Sequence, residues 1–219
     1  MTLGQDIAGR PAGLRRFTAP APPRPERCEL CGTGLGGTGL GAGHRHLVDT
    51  GRRTLACACP ACALLFENPG SAHGRFRTVP DRWLTDPGHT VDDAAWERLR
   101  IPVGVVFFFR NAALDRFVAL YPSPAGATES ELEPDSWQEV LDRTRLAAVL
   151  RPDVEALLLR RDDGGCACYL VPIDACYELV GRMRLLWQGF DGGAEARAAL
   201  DAFFASVAGR ARPFREDAA

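Results

Sequence analysis

Five of the eight cysteines in this 219-residue chain fall within residues 28–62, and their spacing constrains the fold more than any other feature. They form Cys28-x2-Cys31 and Cys57-x-Cys59-x2-Cys62. A Cys-x2-Cys turn places two sulfurs on one side of the backbone and can aim its amide groups at them. Two such turns supply a tetrahedral tetrathiolate. Gly32 directly follows Cys31, where the chain leaves the turn with a positive φ that glycine adopts freely. Between the turns, His46–Asp49 and Arg53–Ala56 flank Thr50-Gly51 and read as a hairpin running into the second turn.

This layout predicts a zinc-ribbon or rubredoxin-like β module over residues 26–68 that holds one metal ion. The expected ligands are Cys28, Cys31, Cys59 and Cys62. Cys57 is the alternate for Cys59, because one of the two completes the second pair. His46, with His44 beside it, stands in reserve. Thiolates suit zinc and iron alike. Rubredoxins carry Gly after both turns, whereas Ala63 follows Cys62 here. Zinc is therefore favoured and iron is the alternative.

Composition narrows the function classes. The apolar fraction of 46% and charged fraction of 25% are those of a globular chain. The net charge of −2 does not suit a whole-molecule nucleic-acid binder. Residues 1–66 carry eight Arg against four acids, a local +4, but lack interleaved aromatics. A nucleic-acid-binding ribbon is thus the weakest alternative. All 26 basic residues are Arg, and the missing Lys excludes Schiff-base and P-loop lysine chemistry. No apolar run approaches the roughly 20 residues a membrane helix needs.

Residues 1–25 are rich in Pro, Ala and Arg and are expected to be a disordered tail. Arg15-Arg16-Phe17 is followed by no apolar segment, so no export signal is read and a cytoplasmic location with reduced thiols is expected. The run of residues 32–43 matches G-x-G-x-x-G twice. Neither a strand before it nor a helix after it supports a dinucleotide site, so it reads as a loop.

Residues 72–212 read as an α+β domain, an antiparallel sheet with packed helices, and residues 213–219 as a second disordered tail. Strands are expected over Arg75–Val79, Gly104–Arg110, Arg116–Tyr121, Val154–Arg161 and Cys166–Val171. Helices are expected over Thr90–Leu99, with Thr90-x-x-Asp93 as a capping box, and from near Asp135 to before Pro152. Two more follow, one capped by Asp174 and one carrying Leu200, Phe203, Phe204 and Val207 on a stripe. Cys166, Cys168 and Cys176 read as buried hydrophobes, and His73 and His89 as exposed loop residues. No nucleophile or acid–base pair is placed by spacing, so the domain reads as a docking domain rather than an enzyme. Its candidate contact is a small-residue loop over residues 121–130, with Tyr121 and Glu129 as anchors.

Taken together, Cys28-Glu-Leu-Cys31-Gly32, His44-Arg-His46-Leu47, Cys57-Ala-Cys59-Pro-Ala-Cys62-Ala-Leu-Leu-Phe66, Tyr121-Pro-Ser-Pro-Ala-Gly-Ala-Thr-Glu-Ser130 and Val171-Pro-Ile-Asp174-Ala-Cys-Tyr177 resemble a bacterial family of unknown function. The resemblance covers roughly residues 26–210. Genes of that family lie beside those of high-affinity, oxygen-tolerant uptake [NiFe]-hydrogenases. The resemblance implies a hydrogenase subunit or maturation factor as partner. A rubredoxin-like electron-transfer role is the alternative it leaves open.

Overall fold

The structure, a computed structural model, describes residues 26–35, 43–68, 70–88, 91–130, 135–162, 165–189 and 192–215. The tail expected over residues 1–25, most of the Gly-rich run, Thr90, His89 and the end of the second tail lie outside the described residues.

Two sheets organise the chain. The smaller has the order β2-β1-β3, with β1 at Arg45–Asp49, β2 at Thr54–Ala58 and β3 at Phe76–Thr78. β1 and β2 form the hairpin expected from the sequence, with Asp49 opposite Thr54. Its turn is built by Asp49, whose carboxylate accepts the N–H groups of Gly51 and Arg52 at 3.1 and 3.0 Å. Helix α1, Pro60–Leu65, follows β2 directly. β3, which the sequence places with the larger domain, instead pairs with β1, Leu47 facing Thr78.

The larger sheet has seven strands. They are β4 (Leu84–Thr85), β5 (Val105–Asn111), β6 (Arg116–Ser123), β7 (Gly126–Glu129), β8 (Glu155–Asp162), β9 (Gly165–Pro172) and β10 (Arg212–Pro213). The order is β10-β4-β9-β8-β5-β6-β7, antiparallel except for the β10–β4 pair. Helices α2 (Asp93–Arg98), α3 (Asp135–Asp142) and α4 (Leu146–Val149) cover one face, and α5 (Ile173–Leu186) and α6 (Gly193–Arg210) the other.

This explains the unbroken apolar runs of the central strands. Val105 and Phe107 of β5 join one core with Ala156 and Leu158 of β8 and with Leu179 and Phe204 of α5 and α6. Val106 and Phe108 join the other with Leu157, Leu159, Trp137 and Leu146. Strands covered on both faces have no polar side to alternate with.

Several local expectations change. Asp92, not Thr90, caps α2, its carboxylate accepting the N–H of Ala95 at 2.7 Å. The single helix expected after Asp135 is two, α3 and α4. The break falls where buried Asp86 accepts the N–H of Arg145 at 3.0 Å and the hydroxyl of Thr144 at 3.3 Å, bonds that compete with a continuous helical ladder. Residues 121–130 are not a loop: β6 and β7 form a tight hairpin, with Tyr121 opposite Thr128. Nor do the last described residues hang free, since Pro213 pairs with Thr85 and Phe214 packs on the core. Among the described residues, no helix is long and apolar enough to cross a membrane.

Candidate metal centre

Cys28, Cys31, Cys59 and Cys62 come together, each pair of sulfurs within 4.8 Å, and the cluster can hold a metal ion. The Sγ atoms of Cys31 and Cys59, one from each turn, are 3.7 Å apart. A tetrahedron with metal–sulfur bonds of about 2.3 Å has sulfur–sulfur edges of about 3.8 Å, so this span suits such an ion.

Each turn reaches this arrangement by a different local device. In the first, Cys28 N–H donates to the Thr33 carbonyl and Gly32 N–H to the Cys28 carbonyl, both at 2.8 Å. Gly32 has φ +75 with open space around its α-carbon, so any other residue is disfavoured by backbone strain rather than by crowding. This turn docks on β2 through Glu29, whose N–H donates to the Cys57 carbonyl at 2.8 Å and whose carboxylate accepts the Cys57 N–H at 2.7 Å. In the second turn, Cys59 is the N-cap of α1, its sulfur accepting the N–H of Cys62 at 3.4 Å, with Pro60 at the first helical position. The second pair thus sits on a helix start rather than on a hairpin turn.

The electrostatics of the cluster suit a bound cation. Burial raises the Cys28 thiol, but the N–H groups of Cys59, Cys31 and Leu30 outweigh it and leave it lowered. The hydroxyl and N–H of Thr33 hold Cys31 down to about 6. Cys62, sharing protons with Cys31 and Cys59, is pushed up to about 12. Four sulfurs this close cannot all be anionic without a counter-charge, and a divalent ion supplies it.

Cys57 and the two histidines fall elsewhere. His44, His46 and Cys57 form a second group whose donor atoms lie within 4.8 Å of one another. His46 and Cys57 are direct cross-strand partners in the β1–β2 hairpin. The His44 and His46 rings meet edge to face, with centroids 4.8 Å apart. His46 Nδ1 lies 2.7 Å from Asp174 Oδ2 at the start of α5. Asp174, expected from the sequence as the cap of that helix, lies in its first turn; Pro172 occupies the cap, and the carboxylate turns to His46. Burial, then the charges of Glu29 and Glu26, push the Cys57 thiol up.

The remaining singled-out residues are separate from both groups. Tyr121 is half-buried, and exposed Glu129 faces Arg116 across the β6–β7 hairpin at 3.4 Å. Cys166 and Cys168 share one face of β9, but Cys176 packs on the opposite side of the sheet, so the three cannot meet. Burial pushes Cys166 and Cys168 up to about 12 and Cys176 well above the ordinary thiol value, as expected of inert core thiols. His73 is exposed in a short turn at Ser71–Gly74. A mostly apolar cavity of about 720 Å³ opens between the two sheets, with Val48, Leu55, Phe109, Ile173 and Tyr177 in its wall.

No curated protein and no solved structure matches this chain. The model of one family does match, over residues 27–211, a span that takes in both cysteine turns, both sheets apart from β10, and all the helices described above. The chain therefore belongs to DUF5947, a family of unknown function.

Proposed function

We propose that this protein holds a structural zinc ion through Cys28, Cys31, Cys59 and Cys62 in a ribbon-type module and acts by docking, as an accessory of a [NiFe]-hydrogenase system. The observation that carries the metal reading is the 3.7 Å approach of Cys31 and Cys59 across 28 positions of chain, within a closed group of four sulfurs. Four thiolates with no open position are the donor set of a structural zinc. The core around them is small, consisting of Cys28, Leu35, Leu47, Ala58 and Ala63 with a few partly buried neighbours. A metal ion would supply most of the free energy that orders the first turn.

The partner reading rests on the family resemblance in the sequence. The edge of the large sheet offers it a place: β7 is the last strand, and Glu129 on it is exposed. An edge strand can accept another chain's strand by main-chain pairing. Cys31 is exposed, and a solvent-facing ligand is also what an electron-transfer iron centre needs, which favours a rubredoxin-like iron centre as the second reading.

The test is affinity capture from the native host, with elemental analysis of the protein purified without chelator. Stoichiometric zinc, reduced by one equivalent in Cys59→Ser, together with co-purifying hydrogenase components, is the expected result. Red protein with stoichiometric iron turns the reading to electron transfer. Absence of both metals, or full metal retention in Cys59→Ser, overturns the tetrathiolate. Capture without hydrogenase components overturns the partner.

A further inference from the structure

We propose that His44, His46 and Cys57 form a second metal site, separate from the tetrathiolate, that takes a borderline divalent cation such as Zn²⁺ and leaves a coordination position open to solvent. The three donors lie within 4.8 Å of one another and share no residue with the four-sulfur group. Their convergence follows from the hairpin: the register sets His46 opposite Cys57, and His44 lies two residues before His46 on the same side.

Two further observations point to an ion. Asp174 lies at hydrogen-bond distance from His46 Nδ1, which leaves Nε2 as the nitrogen free to bind. A carboxylate behind a histidine is the usual support of a metal-ligating imidazole, fixing its tautomer and ring orientation. Second, His44 Nδ1 is buried and has no hydrogen-bond partner among the described residues. A buried ring nitrogen without a partner is destabilising, and a cation in the group removes that deficit.

The donor set decides the type of site. Two imidazoles and one thiolate match borderline cations, and three protein ligands leave a tetrahedral ion one position short. The histidines open on a small cleft of about 130 Å³ whose wall includes Val79, Trp83, Pro172 and Arg210. That volume suits water or a small anion as the fourth ligand.

The full chain, stripped of metal under reducing conditions and titrated with Co²⁺, tests this. The expected result is two Co²⁺ per chain. Cys57→Ala and His44→Ala should each remove one equivalent and leave the tetrathiolate charge-transfer band unchanged, whereas Cys59→Ser should abolish that band and keep the other equivalent. The two first variants alter different segments, so circular dichroism showing one misfolded leaves the other to decide. Asp174→Asn should keep both equivalents but weaken the second by about 10–100-fold. Azide should shift the absorption of the second ion alone; no shift overturns the open position. A single Co²⁺, lost only in Cys59→Ser, overturns the second site and leaves the tetrathiolate standing. A single Co²⁺ lost only in Cys57→Ala does the reverse. Two Co²⁺ that persist in both Cys57→Ala and His44→Ala also overturn the second site.

Discussion

His46 Nδ1 and the Asp174 carboxylate lie 2.7 Å apart although 128 positions separate them in the chain. The contact ties the small sheet to the helix that covers one face of the large one. Both side chains are nearly buried, at 15% and 13% exposure, so the bond is poorly replaced by water. Asp174→Ala should lower the unfolding free energy by about 1–3 kcal/mol, as for loss of a hydrogen bond to a charged group. Denaturant midpoints at constant slope would measure it. An unchanged midpoint would mean that the contact contributes no stability.

Metal removal should act locally. The segment 26–35 is held by the sulfurs, by the Arg27–Gly34 bridge and by the Glu29–Cys57 hydrogen bonds. Val48 of β1, by contrast, belongs to the main core. Chelation, or Cys31→Ser, should therefore expose residues 26–35 to protease while the β1–β2 hairpin and the large sheet stay protected. Mass mapping of the first cuts checks this; first cuts in the large sheet would show that the metal stabilises the whole molecule.

Glu129→Arg should weaken partner capture with little effect on folding. Its partner Arg116 is about half exposed, at 48%, against 55% for Glu129. Exposed pairs of this kind are worth about 0–1 kcal/mol. A thermal midpoint within a few degrees of wild type, together with reduced recovery of hydrogenase components, is expected. Full recovery would remove β7 from the docking surface.

The most damaging charge change should be at Glu155, which is fully buried. Arg82 grips both its oxygens, at 2.8 and 2.6 Å, and the Arg151 N–H donates to it at 2.8 Å. Glu155→Ala would leave the guanidinium only the Val149 carbonyl, at 2.7 Å, and because Arg82 is 29% exposed the cost should fall at or below the lower end of the roughly 3–5 kcal/mol for breaking a buried pair. Equilibrium unfolding should show it; a loss under about 1 kcal/mol would mean that water readily takes over the glutamate's role.

Acid should destabilise the fold through Asp49 and Asp86. The Arg75 guanidinium holds Asp49 below the ordinary carboxylate value. Burial alone would raise Asp86, but hydrogen bonds from the Arg145 side chain and from the Arg145 and Gly88 N–H groups outweigh it, and the net shift is also downward. A lowered folded pKa stabilises above the unfolded value of about 3.9 and is lost as pH falls toward the folded one. Protonation of the thiolate cluster would also release a bound metal in acid, so the comparison that isolates the effect is with Asp86→Asn. The stability difference between wild type and variant should be constant above about pH 5 and shrink below about pH 4. A difference independent of pH would show that the Asp86 charge is not what matters.

Much of this architecture is local and could be read from the residues. The β1–β2 hairpin, the two central hairpins of the large sheet and the α5 and α6 stripes all follow from periodicity and turn chemistry over fewer than twenty residues. Structure departs from local pattern where a distant group intervenes. The α3–α4 break is made by Asp86, 59 positions before Arg145. The small residues and two prolines of 121–130 read as a loop, yet Pro122 lies opposite Ala127 in a strand pair near the sheet edge, where proline is tolerated.

The cysteine spacing alone determined that two turns could present four sulfurs, because the geometry of a Cys-x2-Cys turn is set by the residues within it. It could not decide whether Cys57 or Cys59 joins them. Tertiary structure places Cys59 at the head of α1, turned toward Cys28 and Cys31, and leaves Cys57 on β2 opposite His46. Residues two apart on a strand share a face, so Cys57 and Cys59 part only because the chain leaves β2 at Ala58 and enters α1 at Cys59; which of them meets the first turn and which meets His46 depends on how the small sheet lies against α5. That packing is governed by apolar surface buried between segments more than 100 residues apart, with Val48 and Ile173 in one core, and no local pattern encodes it.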